Sequence, residues 1–387
     1  MPAVAHPTES PEARAVTPPR PEFGHSPLIV FYELTRACDL VCQHCRASAQ
    51  AQADPCELTP AQSLALVDEL ASFPSKPMLV LTGGDPFKRR DLFAIIERSV
   101  ASGMETAITP SATPLMTRRA VERLKAAGIA RMAISLDGVD AATHDALRGV
   151  PGTFDHALRI LRAAREVGIP LQINTTITPG NYDQLEAMAE LLAGLDIVLW
   201  SVFFIIPVGR ATDGLRLSGE QHEAAFARLW ALAQRMPFGI KTTEAMHYRR
   251  YVMQQAKAMR AAGELPAGPP AKGPRSRFFG VNDGKGILFV SHKGEVQPSG
   301  FFPVVCGQFP ARGVVDTYQN HPLFRRLRDP KELGGKCRVC EYRNLCGGSR
   351  ARAYAVTGDP MAAEPDCVYR PPAWAAAPST PSHANIK

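Results

Sequence analysis

Nine cysteines stand in two bunches in this 387-residue chain, and that clustering constrains the fold more than any other feature. Cys38, Cys42, Cys45 and Cys56 come early; Cys306, Cys337, Cys340, Cys346 and Cys367 come late. The opening stretch Met1-Pro2-Ala3-Val4-Ala5-His6-Pro7 has neither the charged start nor the apolar core of a secretory signal, so a cytoplasmic location is expected. A reducing compartment disfavours structural disulfides, and tight cysteine groups there serve metals or catalysis.

Composition narrows the class. Apolar residues make up 45% and charged residues 21%, which excludes wholesale disorder, a coiled coil and a collagen-like chain. The longest apolar run, residues 197–206, is interrupted by Ser201 and is about half of what spans a bilayer, so no membrane partner is expected. A charge of +7 is mild for this length and its basic residues are scattered, so no nucleic-acid partner is expected either.

Between Pro/Ala/Ser/Thr-rich tails (1–26 and 371–387) the pattern alternates. Apolar, often β-branched runs at 28–32, 78–81, 106–108, 132–135, 171–176 and 198–206 read as strands, each followed by a helical stretch. Thr59-Pro60 forms an N-cap and first-turn pair ahead of Leu64, Val67 and Leu70, while Gly103, Gly128 and Gly168 sit where left-handed C-caps belong. Such alternation predicts a parallel sheet of βα units, either open or barrel-like, with ligand chemistry at the C-terminal ends of the strands. Residues 218–236 read as a further helix, 261–277 as a mobile loop, and 286–291 with 295–297 as a hairpin turning at Lys293-Gly294.

The sequence Cys38-Asp39-Leu40-Val41-Cys42-Gln43-His44-Cys45 directly follows the first strand. Three thiols on one loop can converge on one metal centre. A closed cluster or structural zinc takes four protein ligands, whereas a [4Fe–4S] cluster held by three leaves one iron open. Zinc completed by His44 or Cys56 is the alternative.

This Cys-x3-Cys-x2-Cys loop resembles the signature of the radical S-adenosylmethionine (SAM) enzymes, with His44 at the position that family fills with an aromatic ring. Thr82-Gly83-Gly84-Asp85-Pro86 is similar to the family's Gly-Gly-Glu-Pro motif, with Asp85 one methylene shorter. Ile134-Ser135-Leu136-Asp137-Gly138 and His144-Asp145-Ala146-Leu147-Arg148-Gly149 resemble segments that meet the ribose and carboxylate of SAM; Asn174 and Pro207-Val208-Gly209-Arg210 resemble further SAM-side segments. The resemblance implies an α/β fold, a partial (β/α)6 TIM-type barrel over 27–210. It implies that Cys38, Cys42 and Cys45 hold a [4Fe–4S] cluster, and that Gly83, Gly84, Asp85, Pro86, Ser135, Arg148, Asn174 and His44 seat SAM.

Cys337-x2-Cys340-x5-Cys346 and the later Cys367 supply four thiols, the number for a closed cluster or a zinc knuckle. Behind such a barrel they resemble a truncated SPASM-type domain over 286–370, following a barrel-closing helix and mobile loop over 211–285. The resemblance implies one auxiliary [4Fe–4S] cluster. Ser299 and Ser349 stand where a full domain has cysteines for a second, so that second cluster is expected to be missing. Cys56 and Cys306 have no assigned role and read as inert thiols.

The truncated pattern with Gly347-Gly348-Ser349-Arg350 is most similar to the radical SAM enzymes of heme d1 and alternative heme synthesis, implying a tetrapyrrole propionate as substrate. A peptide-modifying maturase and a non-catalytic iron–sulfur or zinc scaffold are the alternatives. The implied chemistry is reductive cleavage of SAM to a 5′-deoxyadenosyl radical that takes hydrogen from the substrate, with flavodoxin or ferredoxin as electron donor. His247, Tyr248 and Arg249 are the candidate substrate contacts, while Trp200, Phe203 and Phe204 read as barrel core.

Overall fold

The computed structural model describes residues 23–264 and 280–375. The expected tails at 1–22 and 376–387, and residues 265–277 of the expected loop, lie outside the described residues. The N-terminal tail ends earlier than expected. Phe23 is buried, and its carbonyl and that of His25 accept from Tyr318 Oη at 2.7 Å and Gln319 Nε2 at 2.9 Å.

Seven strands alternate with helices: β1 (Ile29–Glu33), β2 (Met78–Thr82), β3 (Thr106–Ile108), β4 (Arg131–Ser135), β5 (Leu171–Ile177), β6 (Leu199–Phe204) and β7 (Gly239–Thr243). They pair in parallel in that order. All six expected strands are present. The seventh, Gly-Ile-Lys-Thr-Thr, is half-buried throughout, so it lacks the apolar run that marks the others.

The expected hairpin also forms, as β8 (Ile287–Val290) against β9 (Glu295–Gln297), with β10 (Gly307–Gln308) beyond. Its other edge joins the barrel sheet, β8 running parallel to β1. One sheet of order β10-β9-β8-β1-β2-β3-β4-β5-β6-β7 results, with β7 and β10 as its two ends. The barrel is therefore partial, and the C-terminal segment is built onto its first strand.

Local chemistry explains the helices. Thr59 and Gln62 form a reciprocal capping box at the start of α1 (Pro60–Ala71), which buries Leu66, Val67 and Leu70. Gly103, Gly128 and Gly168 take the expected left-handed conformations, with φ of 80°, 86° and 70°. Trp200 is fully buried in the main core as expected, its indole N–H donating to Thr175 Oγ1 at 2.8 Å. Among the described residues no helix is long and apolar enough to cross a membrane.

A buried arginine ties the C-terminal segment to the barrel. Arg352, on the helix Arg350–Thr357, is fully buried and donates to Glu244 O just after β7 at 2.6 Å. It also reaches Ile205 O just after β6 at 3.4 Å and pairs with Glu364 at 3.1 Å and Asp366 at 3.0 Å. Removing one partner of a buried charge network strands the others, at a cost of about 3–5 kcal/mol. Arg352→Met is expected to lower the denaturant midpoint of the purified protein by a corresponding amount; a midpoint within error of the parent would contradict this coupling.

Candidate active site

The loop after β1 folds back on itself, Cys38 N donating to Gln50 O and Gln50 N to Arg36 O at 2.8 and 3.0 Å. It is clamped from β6. Arg210 donates from Nε to Cys42 O at 2.9 Å, from Nη1 to Ala49 O at 2.7 Å and from its backbone N to Cys45 O at 3.0 Å. Gly209, at φ 66°, allows this approach, since a Cβ there would stand 2.3 Å from Arg46 O. Of the segment expected beside SAM, then, Val208 lines the cavity, while Gly209 and Arg210 hold the cysteine loop.

All three thiols line one cavity of about 200 Å³ at the C-terminal strand ends, together with His44, Gly83, Gly84, Ser135, Arg148 and Asn174. Each thiol has an N–H directed at it: Leu40 N to Cys38 at 3.4 Å, Ala49 N to Cys45 at 3.3 Å and Arg148 Nη1 to Cys42 at 3.8 Å. N–H groups of this kind can hydrogen-bond a metal-bound sulfur. A Cβ on Gly83 or Gly84 would come within 2.4 Å of Thr35 O or Ala37 O, so these glycines seat β2 against the cysteine loop.

Asp85 and Pro86 are placed differently from expectation. They do not line the cavity. Asp85 is fully buried, with Oδ1 accepting from Phe87 N at 3.1 Å and Oδ2 from Thr113 Oγ1 at 2.6 Å, and burial pushes its carboxyl up. Its short side chain is engaged in capping the turn Pro86–Lys88. Phe203 is also corrected. It lines the cavity and packs on Phe301 at 6.3 Å between ring centroids, and Phe204 lines the cavity while keeping its place in the core.

Arg148 pairs with the fully buried Asp137, whose carboxyl burial alone would raise but the guanidinium holds below its usual range. Burial pushes His44 and His144 down to about 4, so both rings are neutral at pH 7. Neither Asp nor Glu lines the cavity. His44 Nδ1 and Arg148 Nε are buried without a hydrogen-bond partner, as is Nη2 of the clamping Arg210. Unsatisfied groups of this kind fit a bound polar, anionic group. Asp137 and Thr176 escaped sequence reasoning as site residues; Asp137 stood in a quoted motif, but nothing local marked it as the partner of Arg148.

Cys337, Cys340, Cys346 and Cys367 surround a second cavity, also lined by Arg250, Lys336, Arg343 and Glu364. Gly348 N and Glu364 N each direct a 3.4 Å contact at Cys346 and Cys337. Burial pushes the Cys340 thiol up to about 11 and raises Cys346 and Cys367 as well, so a metal has to displace their protons. Cys306 is buried in the main core, its thiol pushed up to about 12, and Cys56 is exposed.

The expected substrate contacts belong to this second region. His247 is fully buried, stacks on His222 at 5.2 Å and lines the four-cysteine cavity. Tyr248 is buried against Phe226, and Arg249 donates to Val281 O at 2.6 Å and Leu345 O at 3.2 Å. None of the three lines the first cavity. Their donors and aromatic ring suggested substrate contacts; helix packing turns them inward.

Ser349 donates to Glu244 at 2.6 Å, and Ser299 lies beside Asp283. Burial pushes both carboxyls up, and Asp283 raises Glu244 further. The two serines thus end on a buried carboxylate pair.

The chain belongs to the radical SAM superfamily, whose model matches residues 32–192, and it is an enzyme of radical chemistry that uses a [4Fe–4S] cluster and SAM. It is 37% identical over 347 residues to an AdoMet-dependent heme synthase of Methanosarcina barkeri, covering 90% of this chain and 98% of that protein. It is 30% identical over 369 residues to a pre-heme d1 synthase of Dinoroseobacter shibae, covering 91% and 88%. The crystal structure of Streptococcus suis SuiB bound to precursor peptide SuiA shares the fold, with a TM-score of 0.69 at 17% identity over 89% of this chain and 76% of that one.

Because Gly209 touches the backbone on both sides of the Cys45–Arg46 peptide, Gly209→Ala is expected to displace the loop. Iron bound after anaerobic reconstitution should fall by about half, four irons of eight, while the four-cysteine site stays loaded. Parental iron content in this variant would show that the clamp is not needed.

Proposed function

We propose that this chain is a tetrapyrrole-modifying radical SAM enzyme that acts on propionate side chains. The observation that carries the proposal is the single cavity in which the three thiols of one loop meet the ends of β2, β4, β5 and β6, with an aromatic wall and no carboxylate. Similarity to a heme synthase across nearly the whole of both chains supports the substrate class.

Cys38, Cys42 and Cys45 hold the first cluster, and Ser135, Asn174, Arg148, His44 and the Gly83-Gly84 turn surround SAM. Bound together, cluster and SAM supply a 5′-deoxyadenosyl radical. The cavity wall then has two tasks, to orient the substrate and to exclude water. Removal of one hydrogen atom from the propionate β-carbon, then loss of CO2 and one electron, leaves a vinyl group. Cys337, Cys340, Cys346 and Cys367 would hold an auxiliary cluster, a group that would supply an acceptor for one electron. The electron for SAM cleavage comes from a flavodoxin or ferredoxin in the cytoplasm.

Two measurements test this reading. Anaerobic reconstitution is expected to give about eight irons per chain, falling to about four in Cys337→Ala/Cys340→Ala. Bound zinc without SAM cleavage would refute it. With strong reductant, SAM and an iron porphyrin deuterated at the propionate β-carbons, deuterium is expected in 5′-deoxyadenosine and the porphyrin is expected to lose the mass of CO2 and two hydrogens' worth of saturation. If a candidate peptide changes mass in that assay and the porphyrin does not, the substrate is a peptide.

A further inference from the structure

Among the described residues, the first cavity is lined by two arginines, Arg46 and Arg148, and by no Asp, Glu or Lys. Arg148 is committed to Asp137 and the Cys42 thiol. Arg46 is held differently. Its Nη1 pairs with Glu33 at 3.0 Å and lies 3.4 Å from Gly300 O, and the guanidinium sits 4.8 Å from the centre of the Phe289 ring. Among the described residues, Nε and Nη2 take no hydrogen-bond partner, and neither is sealed from open space. One corner of the fork is fixed and the rest is left for a ligand.

The fixing is built in. Glu33 is fully buried and also accepts from His292 Nδ1 at 2.8 Å and Arg36 Nε at 3.3 Å. Burial would raise its carboxyl, yet Arg46, His292 and Arg36 together hold it at about 2. Glu33 therefore stays charged and orients Arg46, which is one of its three partners. Gly300 leaves room for the guanidinium, because a Cβ there would stand 3.1 Å from Arg46 Cζ. The next residue, Phe301, forms with Phe203 the aromatic part of the wall. A cation with a free edge thus stands beside a flat apolar surface and one residue from the thiol of Cys45.

We propose that Arg46 binds a side-chain carboxylate of the substrate and so fixes the macrocycle against Phe203 and Phe301. This rests on the tetrapyrrole reading. A guanidinium–carboxylate fork in a partly dry site is among the stronger polar contacts, and Arg is suited to it by shape as well as charge.

The test is an anaerobic absorbance titration of the reconstituted enzyme with iron coproporphyrin III, which carries four propionates, and with its tetramethyl ester. Arg46→Met is expected to weaken binding of the acid about tenfold, the scale of one charge-assisted hydrogen bond, and to leave binding of the ester unchanged. Arg46→Lys should retain part of the preference for the acid. If Arg46→Met fails to load iron, Arg46→Gln carries the same comparison with a polar side chain in place. An undiminished preference for the acid in these variants, or an equal loss for acid and ester, overturns the role of Arg46 and leaves the tetrapyrrole reading standing. If the parent enzyme binds neither porphyrin, the tetrapyrrole reading itself falls, and this proposal with it.

Discussion

Backbone packed directly on backbone at the mouth of the barrel is the constraint on which the rest of the site depends. The cysteine loop carries few side chains large enough to anchor it, and three of its residues are thiols needed elsewhere. Its position comes instead from the ends of β2 and β6, where Gly83, Gly84 and Gly209 bring main chain within reach of Thr35, Ala37 and Cys45. Arg210 adds two charge-assisted bonds to loop carbonyls. A loop held by its carbonyls leaves its side chains free to point at a ligand.

The second constraint is that the C-terminal segment is continuous with the barrel. β8 extends the sheet beyond β1, and Arg352 binds the carbonyls that follow β6 and β7. The same segment supplies Phe301 to the first cavity and the four late cysteines to the second. A single piece of chain thus completes one site and builds the other.

Much of this was legible in the sequence, and the failures have physical causes. Six strands were visible because buried parallel strands are apolar runs; β7 was not, because Lys241 and two threonines leave it half-buried. The hairpin was visible from Lys293-Gly294, but its pairing with β1 joins residues some 250 apart in sequence, and no local pattern encodes that. Cys38, Cys42 and Cys45 were readable from spacing alone. Asp85 was misplaced because a motif fixes position along the chain and not direction: its carboxylate turns toward Thr113 and caps the next turn. His247, Tyr248 and Arg249 read as substrate contacts from their donors and aromatic ring, and only tertiary packing shows that they are turned inward, with His247 lining the four-cysteine cavity. Arg46 drew no notice, since an arginine after a cysteine is unremarkable until Glu33 and Gly300 are seen to hold it.

The two cavities are joined by a bonded path that also explains the buried charges between them. Glu364 directs its backbone N–H at the Cys337 thiol, and its carboxylate pairs with Arg352. Arg352 in turn binds the carbonyl of Ile205, a residue that lines the first cavity. Both links made by Arg352 are buried. Around the four thiols stand Arg250, Lys336 and Arg343, with Glu364 the single carboxylate of that lining. Cations facing a set of thiolates stabilise added negative charge there, which shifts a cluster's potential upward and favours reduction. Ser299 and Ser349 complete the pattern. They lie against Glu244 and Asp283, two buried carboxyls that burial pushes up.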